Sequence, residues 1–307
     1  MPSRSDDIIS VIDLGTNTCL LLIASVEKNV PVKIFEAQEI PRLGKDLYRT
    51  KKISEEKFTL VSEIFRKYIA CSRKYGSRKI MAFGTSALRD AENSDEFIEY
   101  ISKETGLKIK VISGEEEAYC GYLGAVSDMK ASEKYTVLDI GGGSTEISYR
   151  SKGVFNHKSI DIGSVRLFEN YFRESHSEKK INEASDLIKR ELRNISADDI
   201  KDRPLIGVAG TLTTLSAIKH DLKKFDENII HKDILHLHEI KRIFNELISM
   251  SDEERLSLGE FMTGRSEIIL SGTLILVSVM EYLQFDSVTV SVKGLRYGLA
   301  YKFADFL

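Results

Sequence analysis

Two stretches of this chain are near-copies of each other. Residues 11–20 read VIDLGTNTCL and residues 137–146 read VLDIGGGSTE. Aligned, Val11 meets Val137, Asp13 meets Asp139, Gly15 meets Gly141, and Thr18 meets Ser144. Each is an apolar β run, then an acid, then a glycine turn, then a hydroxyl. Such a turn presents backbone N–H groups and hydroxyls to an anion. A carboxylate at the strand end suits Mg²⁺, which takes one or two carboxylates and completes its shell with water and phosphate oxygens. Gly15, Thr16, Asn17 and Thr18 in the first copy, and Gly141, Gly142, Gly143 and Ser144 in the second, are the candidate phosphate cradle. Asp13 and Asp139 are the candidate ligands for Mg²⁺ or another divalent cation. The glycine-richer DIGGGS is expected to be the main phosphate grip, and DLGTNT to hold the metal and the opposite flank.

Neither copy is a GxxxxGK[ST] loop or a GxGxxG fingerprint, which disfavours P-loop and dinucleotide-binding folds. A third glycine turn, AGTLTT (209–214), lies between a predicted strand and helix. There Gly210 and Thr211 would meet an anion at a helix N-terminus. Glu115, Glu116 and Glu117 open another predicted helix. Compensation of the helix dipole explains acids in a first turn. Three of them aimed at a phosphate pocket imply a further role: a carboxylate that orients and deprotonates water for in-line attack on phosphorus.

The elements that must position these groups follow from periodicity. IISVIDLGTNTCLLLIASV (8–26) predicts a hairpin about the first turn, and 30–44 continues the sheet. Residues 53–76 show helical spacing after Ser54, 94–106 form a capped helix ending at glycine, 107–114 a strand, and 114–129 a helix. The second repeat opens three strands (134–163), then helices over 164–172 and 181–195. Strand–turn–helix follows at 204–220, a polar segment at 221–233, helices over 235–250 and 266–283, and strand–turn–helix at 287–307. Strands alternating with helices across short loops mean an α/β sheet. The repeat predicts two related half-domains facing a phosphorylated ligand from opposite sides. The boundaries expected are 1–117 plus 295–307 for the first domain and 118–294 for the second.

Bulk properties narrow the partners. The 307 residues suffice for two domains, and a net charge of −3 gives no global basic field for nucleic acid or an anionic membrane. Three cysteines without a CxxC pair fit a reducing cytoplasm, and MPSRSDDIIS has the wrong character for a signal peptide. The apolar stretch 268–283 is too short and too interrupted to span a bilayer and reads as a core helix. Of the six histidines, His236 and His238 stand two apart, so on a helix they would point to different faces. No metal site is expected there.

The segments VIDLGTNT, FGTSALRDA, VISGEEEAYCGYLGA, VLDIGGGSTE, DIGSVRLFENYF and VTVSVKGLRYGLAY, in this order, resemble the exopolyphosphatase/guanosine pentaphosphate phosphohydrolase (Ppx/GppA) family over residues 8–303. That family belongs to the actin, sugar-kinase and heat-shock ATPase superfamily. The resemblance implies an α/β chain of two actin-like (ribonuclease H-like) domains with an inter-domain cleft, in the short two-domain form. It implies that Glu117 is the catalytic residue, with Glu116 the alternative. It implies that Arg89 neutralises phosphoryl oxygens, with Arg42, Lys45 and Arg166 as further candidates. Residues 112–126 and 288–301 resemble the two connecting helices, and 206–214 resembles part of the adenosine site of nucleotide-binding relatives. Two departures lie in the second half: Tyr297 stands where an acid usually follows the glycine–arginine turn, and Glu267 stands where an Asp is usual.

The implied activity is release of terminal orthophosphate from inorganic polyphosphate or guanosine pentaphosphate, as a cytoplasmic monomer or homodimer. An ATP-dependent kinase or ATPase of the same superfamily is the alternative, because fold does not choose the reaction. A non-catalytic alarmone-binding protein is a third reading. The glutamate run speaks against it, since a pure phosphate binder gains nothing from a carboxylate at the anion.

Overall fold

Alternation along β1 (Ile8–Leu14) determines where the first acid goes. The computed structural model describes residues 8–130, 134–193, 195, 200 and 202–304. In it β1 and β2 (Cys19–Glu27) form the expected hairpin, with Leu14 opposite Cys19, and β2 pairs antiparallel with β3 (Val30–Glu39). Parallel strands β4 (Lys79–Gly84) and β5 (Ile109–Val111) complete a sheet of order β3-β2-β1-β4-β5.

Successive side chains in a strand point to opposite faces. Ile12 and Leu14, with Leu21 and Ile23, pack against Phe58, Val61, Phe65, Phe97 and Ile101. Those five lie on α2 (Glu55–Lys74) and α4 (Ser94–Thr105), which follow the short α1 (Leu47–Thr50) and flank α3 (Ser86–Asp90). Ile9 and Val11, with Leu22 and Ala24, pack instead against Cys120 of α5 (Gly114–Val126) and against Leu295, Tyr297, Leu299 and Ala300. Asp13, two residues beyond Val11, is therefore delivered to this second face. Burying each such aliphatic side chain is worth roughly 1.5–3 kcal/mol, so the alternation is strongly enforced.

The second sheet repeats the plan. Strands β6 (Thr136–Ile140), β7 (Thr145–Ser151) and β8 (Val154–Ile160) run antiparallel. Strands β9 (Leu205–Val208) and β11 (Ser287–Val290) add in parallel on the far side of β6, and β10 (Ile234–His236) pairs antiparallel at the edge. The order is β10-β11-β9-β6-β7-β8. One core joins Leu138, Ile140 and Ile147 to helices α7 (Glu178–Leu192), α8 (Ala209–Lys219), α10 (Leu237–Ser249) and α12 (Ile269–Tyr282). The short α6 (Ser164–Leu167), α9 (Glu227–Ile230) and α11 (Asp252–Ser257) lie in the connections, and α13 (Leu295–Ala304) ends the described chain. As expected, α12 is a core helix. Among the described residues no helix is long and apolar enough to cross a membrane.

The chain divides into a unit ending at Gly124 and resuming at Leu295, and a unit from Ala125 to Gly294. The expected break after residue 117 falls inside α5, whose hydrogen-bonded ladder is continuous there, so the division comes near its C-terminal end. Other expectations shift locally. Ser54 holds the N-cap position of α2 without a side-chain bond. The cap position of α4 is held by Asn93, whose side chain is spent pinning Ile53 through N–H and C=O, both at 2.9 Å. Residues 164–172 form α6 and then a π-helical turn, Phe168–Phe172.

Candidate active site

The two repeat turns have the same backbone wiring. The Gly15 N–H donates to the Thr18 carbonyl at 2.9 Å, and the Gly141 N–H to the Ser144 carbonyl at 3.0 Å. In the first turn the Thr16 and Asn17 carbonyls accept from the N–H groups of Gly44 and Arg42 at 2.8 and 3.0 Å. In the second, the Gly142 carbonyl accepts from Val165 and Arg166 N–H, at 2.8 and 3.0 Å, and the Gly143 carbonyl from Arg166 Nε at 2.7 Å. A trans peptide points its C=O and N–H in opposite directions. Tying these carbonyls to one side turns the N–H groups of Asn17 and Thr18, and of Gly143 and Ser144, to the other. Gly15 and Gly141, expected as cradle donors, are instead the residues whose N–H closes each turn. Arg166, expected on phosphate, braces the second turn. Arg42 uses its backbone in the same way in the first, and Lys45 is exposed.

The first unit gathers Asp13, Glu117 and Arg89. Asp13 pairs in register with Phe83, and Leu14 with Gly84, so the start of α3 emerges beside the turn. Gly84 pairs in turn with Val111, which leads into α5. All three groups thus stand at the carboxyl ends of adjacent parallel strands, the usual ligand edge of such sheets. Asp13 is only 8% exposed. Its carboxyl is pushed up from 3.8 to about 7, chiefly by burial and then by the Glu117 charge, with Arg296 opposing.

Glu117 Oε2 accepts from Arg89 Nη1 at 2.7 Å, and Thr85 adds a side-chain hydrogen bond. Burial outweighs these partners and raises its pKa above the ordinary value. Arg89 also donates to the Ile112 carbonyl at 3.0 Å. Its guanidinium, expected on phosphoryl oxygens, therefore holds Glu117. Glu116 lies one helical step of about 100° away. Its Oε1 takes Lys302 Nζ at 2.6 Å and Lys110 Nζ at 3.0 Å. Burial would raise its pKa, but these hydrogen bonds hold it below the ordinary value. A carboxylate pinned by two ammonium groups is a poor proton acceptor. Glu117, held near the acid of the repeat and made more basic by burial, is the better one.

The second unit places Asp139 directly opposite Glu146 in the β6–β7 register. Directly paired residues put their side chains on one face about 4.5–5.5 Å apart. Glu146 is 2% exposed, and Ser159 Oγ donates to its Oε1 at 2.9 Å. This carboxylate was passed over at the sequence level. The signal was available, because a four-residue turn between 140 and 145 forces 146 across from 139. Val208 pairs with Asp139 as well, so α8 starts at the same sheet edge.

There, Ala209 has a left-handed φ of 72°. The Gly210 carbonyl accepts from half-buried Arg265 Nη1 at 2.9 Å, and Thr214 Oγ1 from the same nitrogen at 3.1 Å. Burial pushes the Arg265 guanidinium down to about 10. A Cβ on Gly210 would lie 2.8 Å from Arg265 Cζ, and one on Gly272 only 2.2 Å from Thr211 Oγ1. Gly210 thus accommodates an arginine, and Thr211, 6% exposed, packs its hydroxyl against α12.

His236 belongs to β10 and His238 to α10, so their rings stack at 5.6 Å between centroids instead of diverging. Among the described residues no group of three or more His, Cys, Asp or Glu side chains could hold a metal ion by itself. A two-carboxylate set such as Asp139 and Glu146 is what Mg²⁺ uses when phosphate and water supply the remaining ligands.

Comparison with known proteins bears on this geometry. Residues 22–305 match the Ppx/GppA phosphatase family. A bifunctional 3-dehydroquinate synthase/phosphatase of Fusobacterium nucleatum is 35% identical over 91% of this chain, which spans only 44% of that protein's length. Exopolyphosphatase 2 of Mycobacterium tuberculosis is 28% identical over 96% of this chain and 98% of its own. A guanosine-5'-triphosphate,3'-diphosphate pyrophosphatase of Vibrio atlanticus is 29% identical over 98% of this chain and 60% of its own. Among solved structures, an exopolyphosphatase-like protein superposes with a TM-score of 0.91 at 26% identity, covering 98% of both chains.

Proposed function

The chain belongs to the Ppx/GppA phosphatase family, and from that premise we propose that it is a phosphoanhydride hydrolase releasing terminal orthophosphate from inorganic polyphosphate or guanosine pentaphosphate. One observation carries the reading: a largely buried Glu117, more basic than an ordinary glutamate and fixed by Arg89 and Thr85, stands close enough to Asp13 at the repeat turn to raise its pKa. The N–H groups of Asn17 and Thr18 grip phosphoryl oxygens in the first unit; those of Gly143 and Ser144 are the corresponding donors of the second. Glu117 takes a proton from water as the water oxygen bonds to phosphorus. The bridging P–O bond breaks, and the electron pair leaves with the shortened phosphate chain. Arg89 and Thr85 orient the carboxylate, and Arg166 keeps the second turn rigid. Asp139 and Glu146 would hold the divalent cation, which when bound neutralises phosphoryl charge. Positioning and charge neutralisation supply most of the acceleration in such reactions.

The test is orthophosphate release measured side by side on short polyphosphate, long polyphosphate and guanosine pentaphosphate, with and without Mg²⁺. Mg²⁺-dependent release from at least one of them is expected. No release from any of the three, alongside turnover of ATP onto an acceptor, would replace this reading with a kinase.

A further inference from the structure

Arg296 opens α13 on the face of the first sheet that carries Asp13. Val11, Leu22 and Glu36 stand in one cross-strand row, and Asp13, Leu20 and Gln38 in the next row of the same face. Helix α13 covers this face through Leu295, Tyr297 and Leu299. Arg296 Nε donates to Glu36 Oε1 at 2.9 Å, across 260 residues of chain. The guanidinium lies 5.3 Å from the Tyr297 ring centroid, and Tyr297 adds to the influences that keep the Glu36 carboxyl below its ordinary pKa. The Arg296 side chain is 15% exposed. Its cationic form is favoured despite burial, first by Glu36 and then by Tyr297 and Asp13.

Resting on the hydrolase reading above, we propose that Arg296 is a positioning residue of the site, pinned on the Asp13 face by Glu36 and Tyr297 so that its charge holds the Asp13 carboxylate beside Glu117. An arginine needed only to staple α13 to β3 would be satisfied by Glu36 alone. This one stands in the next row of the sheet from Asp13, where the Glu117 charge acts in the opposite sense. Two carboxylates next to each other are unfavourable unless cations balance them. Arg89 balances Glu117, and Arg296 balances Asp13. Arg296 touches no substrate in this scheme and acts through Asp13.

The test is a double-mutant cycle with two readouts. On the best substrate, Arg296→Met is expected to lower kcat by about 10–100-fold, with KM within about twofold. Arg296→Lys, which keeps the charge but not the fork, should recover part of that loss. In the Asp13→Asn background Arg296→Met should change kcat by less than about twofold, because the group it acts through is gone. A loss confined to KM, or an equal loss in both backgrounds, overturns the proposal.

The same four proteins are unfolded in urea with a chelator present. There Arg296→Met should raise the unfolding equilibrium constant at least about tenfold more with Asp13 than with Asn at that position. Additivity within about twofold overturns the proposal whatever the kinetics show. If the unmutated protein hydrolyses none of the three substrates, the hydrolase reading fails by itself. The unfolding cycle then decides alone whether Arg296 acts on Asp13.

Discussion

The turn at 13–18 and the turn at 139–144 share a backbone and differ in what surrounds their acids. Asp13 faces Leu20 across the hairpin, whereas Asp139 faces Glu146. The first acid is buried, shares its surroundings with Glu117, and titrates near neutrality. The second has another carboxylate beside it on the same strand pair. The loop that clasps each turn differs too. Gly44 backs the first turn against a threonine side chain. Gly163 backs the second against bare peptide, where a Cβ would lie 2.4 Å from the Gly142 carbonyl carbon. One scaffold has thus been put to two uses. In the proposed function the first copy supports proton transfer, and the second supplies tight backbone donors and a pair of cation ligands. That proposal differs from the sequence-level expectation, which put the metal on DLGTNT.

Four experiments break or sharpen that contrast. The largest effect belongs to the base. Glu117→Gln should lower kcat by about 10²–10⁴-fold, whereas Glu116→Gln, next to it on α5, should stay within about threefold. Equal losses in steady-state kinetics would mean that the two glutamates share the role.

Next come the glycines behind the turns. Gly163→Ala drives a methyl into the Gly142 backbone and should destabilise by about 3 kcal/mol or more, measured by urea unfolding. Gly44→Ala meets the movable Thr16 methyl, 2.2 Å away, and should cost about 1–2 kcal/mol. The reverse order would show that the two clasps do not differ as described.

The third is a pH effect with a definite sign. Asp13 holds its proton more tightly folded than unfolded. Its contribution to stability is therefore full below about pH 4 and is lost as pH rises to about 7. A shift from 3.8 to about 7 corresponds to roughly 4 kcal/mol. In chelator at pH 8, Asp13→Asn should be more stable than the unmutated protein by about 2–4 kcal/mol, and at pH 4 the two should coincide. A pH-independent difference between their unfolding midpoints would refute the raised carboxyl.

The smallest effect tests the acid pair. Glu146→Gln should weaken Mg²⁺ activation about tenfold while sparing fold and melting temperature. An unchanged Mg²⁺ titration would place the cation elsewhere.

Much of this was legible in the sequence because the chain states it locally. The hairpins, the repeat and the order of strands and helices follow from period-2 and period-3.6 patterns bounded by glycine. Those patterns also carry Asp13 and Asp139 to strand ends. What escaped depends on partners distant in sequence. No spacing rule announces that Arg89 bonds Glu117, that Arg166 bonds the Gly143 carbonyl, or that Lys302 occupies Glu116. Thr211 has the right residue type in the right turn, yet it packs on Gly272 from a helix formed some sixty residues later. Arg296 and Glu36 meet only because α13 returns to the first sheet. Glu146 is the opposite case: it was readable from hairpin arithmetic and overlooked because its neighbours in the motif are so much louder.

The return of α13 has a consequence for how this molecule comes into being. Ile9, Val11, Leu22 and Ala24 line a sheet face whose cover includes Leu295, Leu299 and Ala300. Gly298 lets the two coverings meet, since a Cβ there would stand 1.7 Å from the Cys120 carbonyl oxygen. During synthesis that face emerges from the ribosome long before α13 exists, and the whole of the second unit is translated in between. The second unit, continuous in sequence, can close its core as soon as it is made. The first must wait with an apolar surface half covered, and non-local closure of this kind is slow and prone to association. The part of the chain made first is thus the last to be finished.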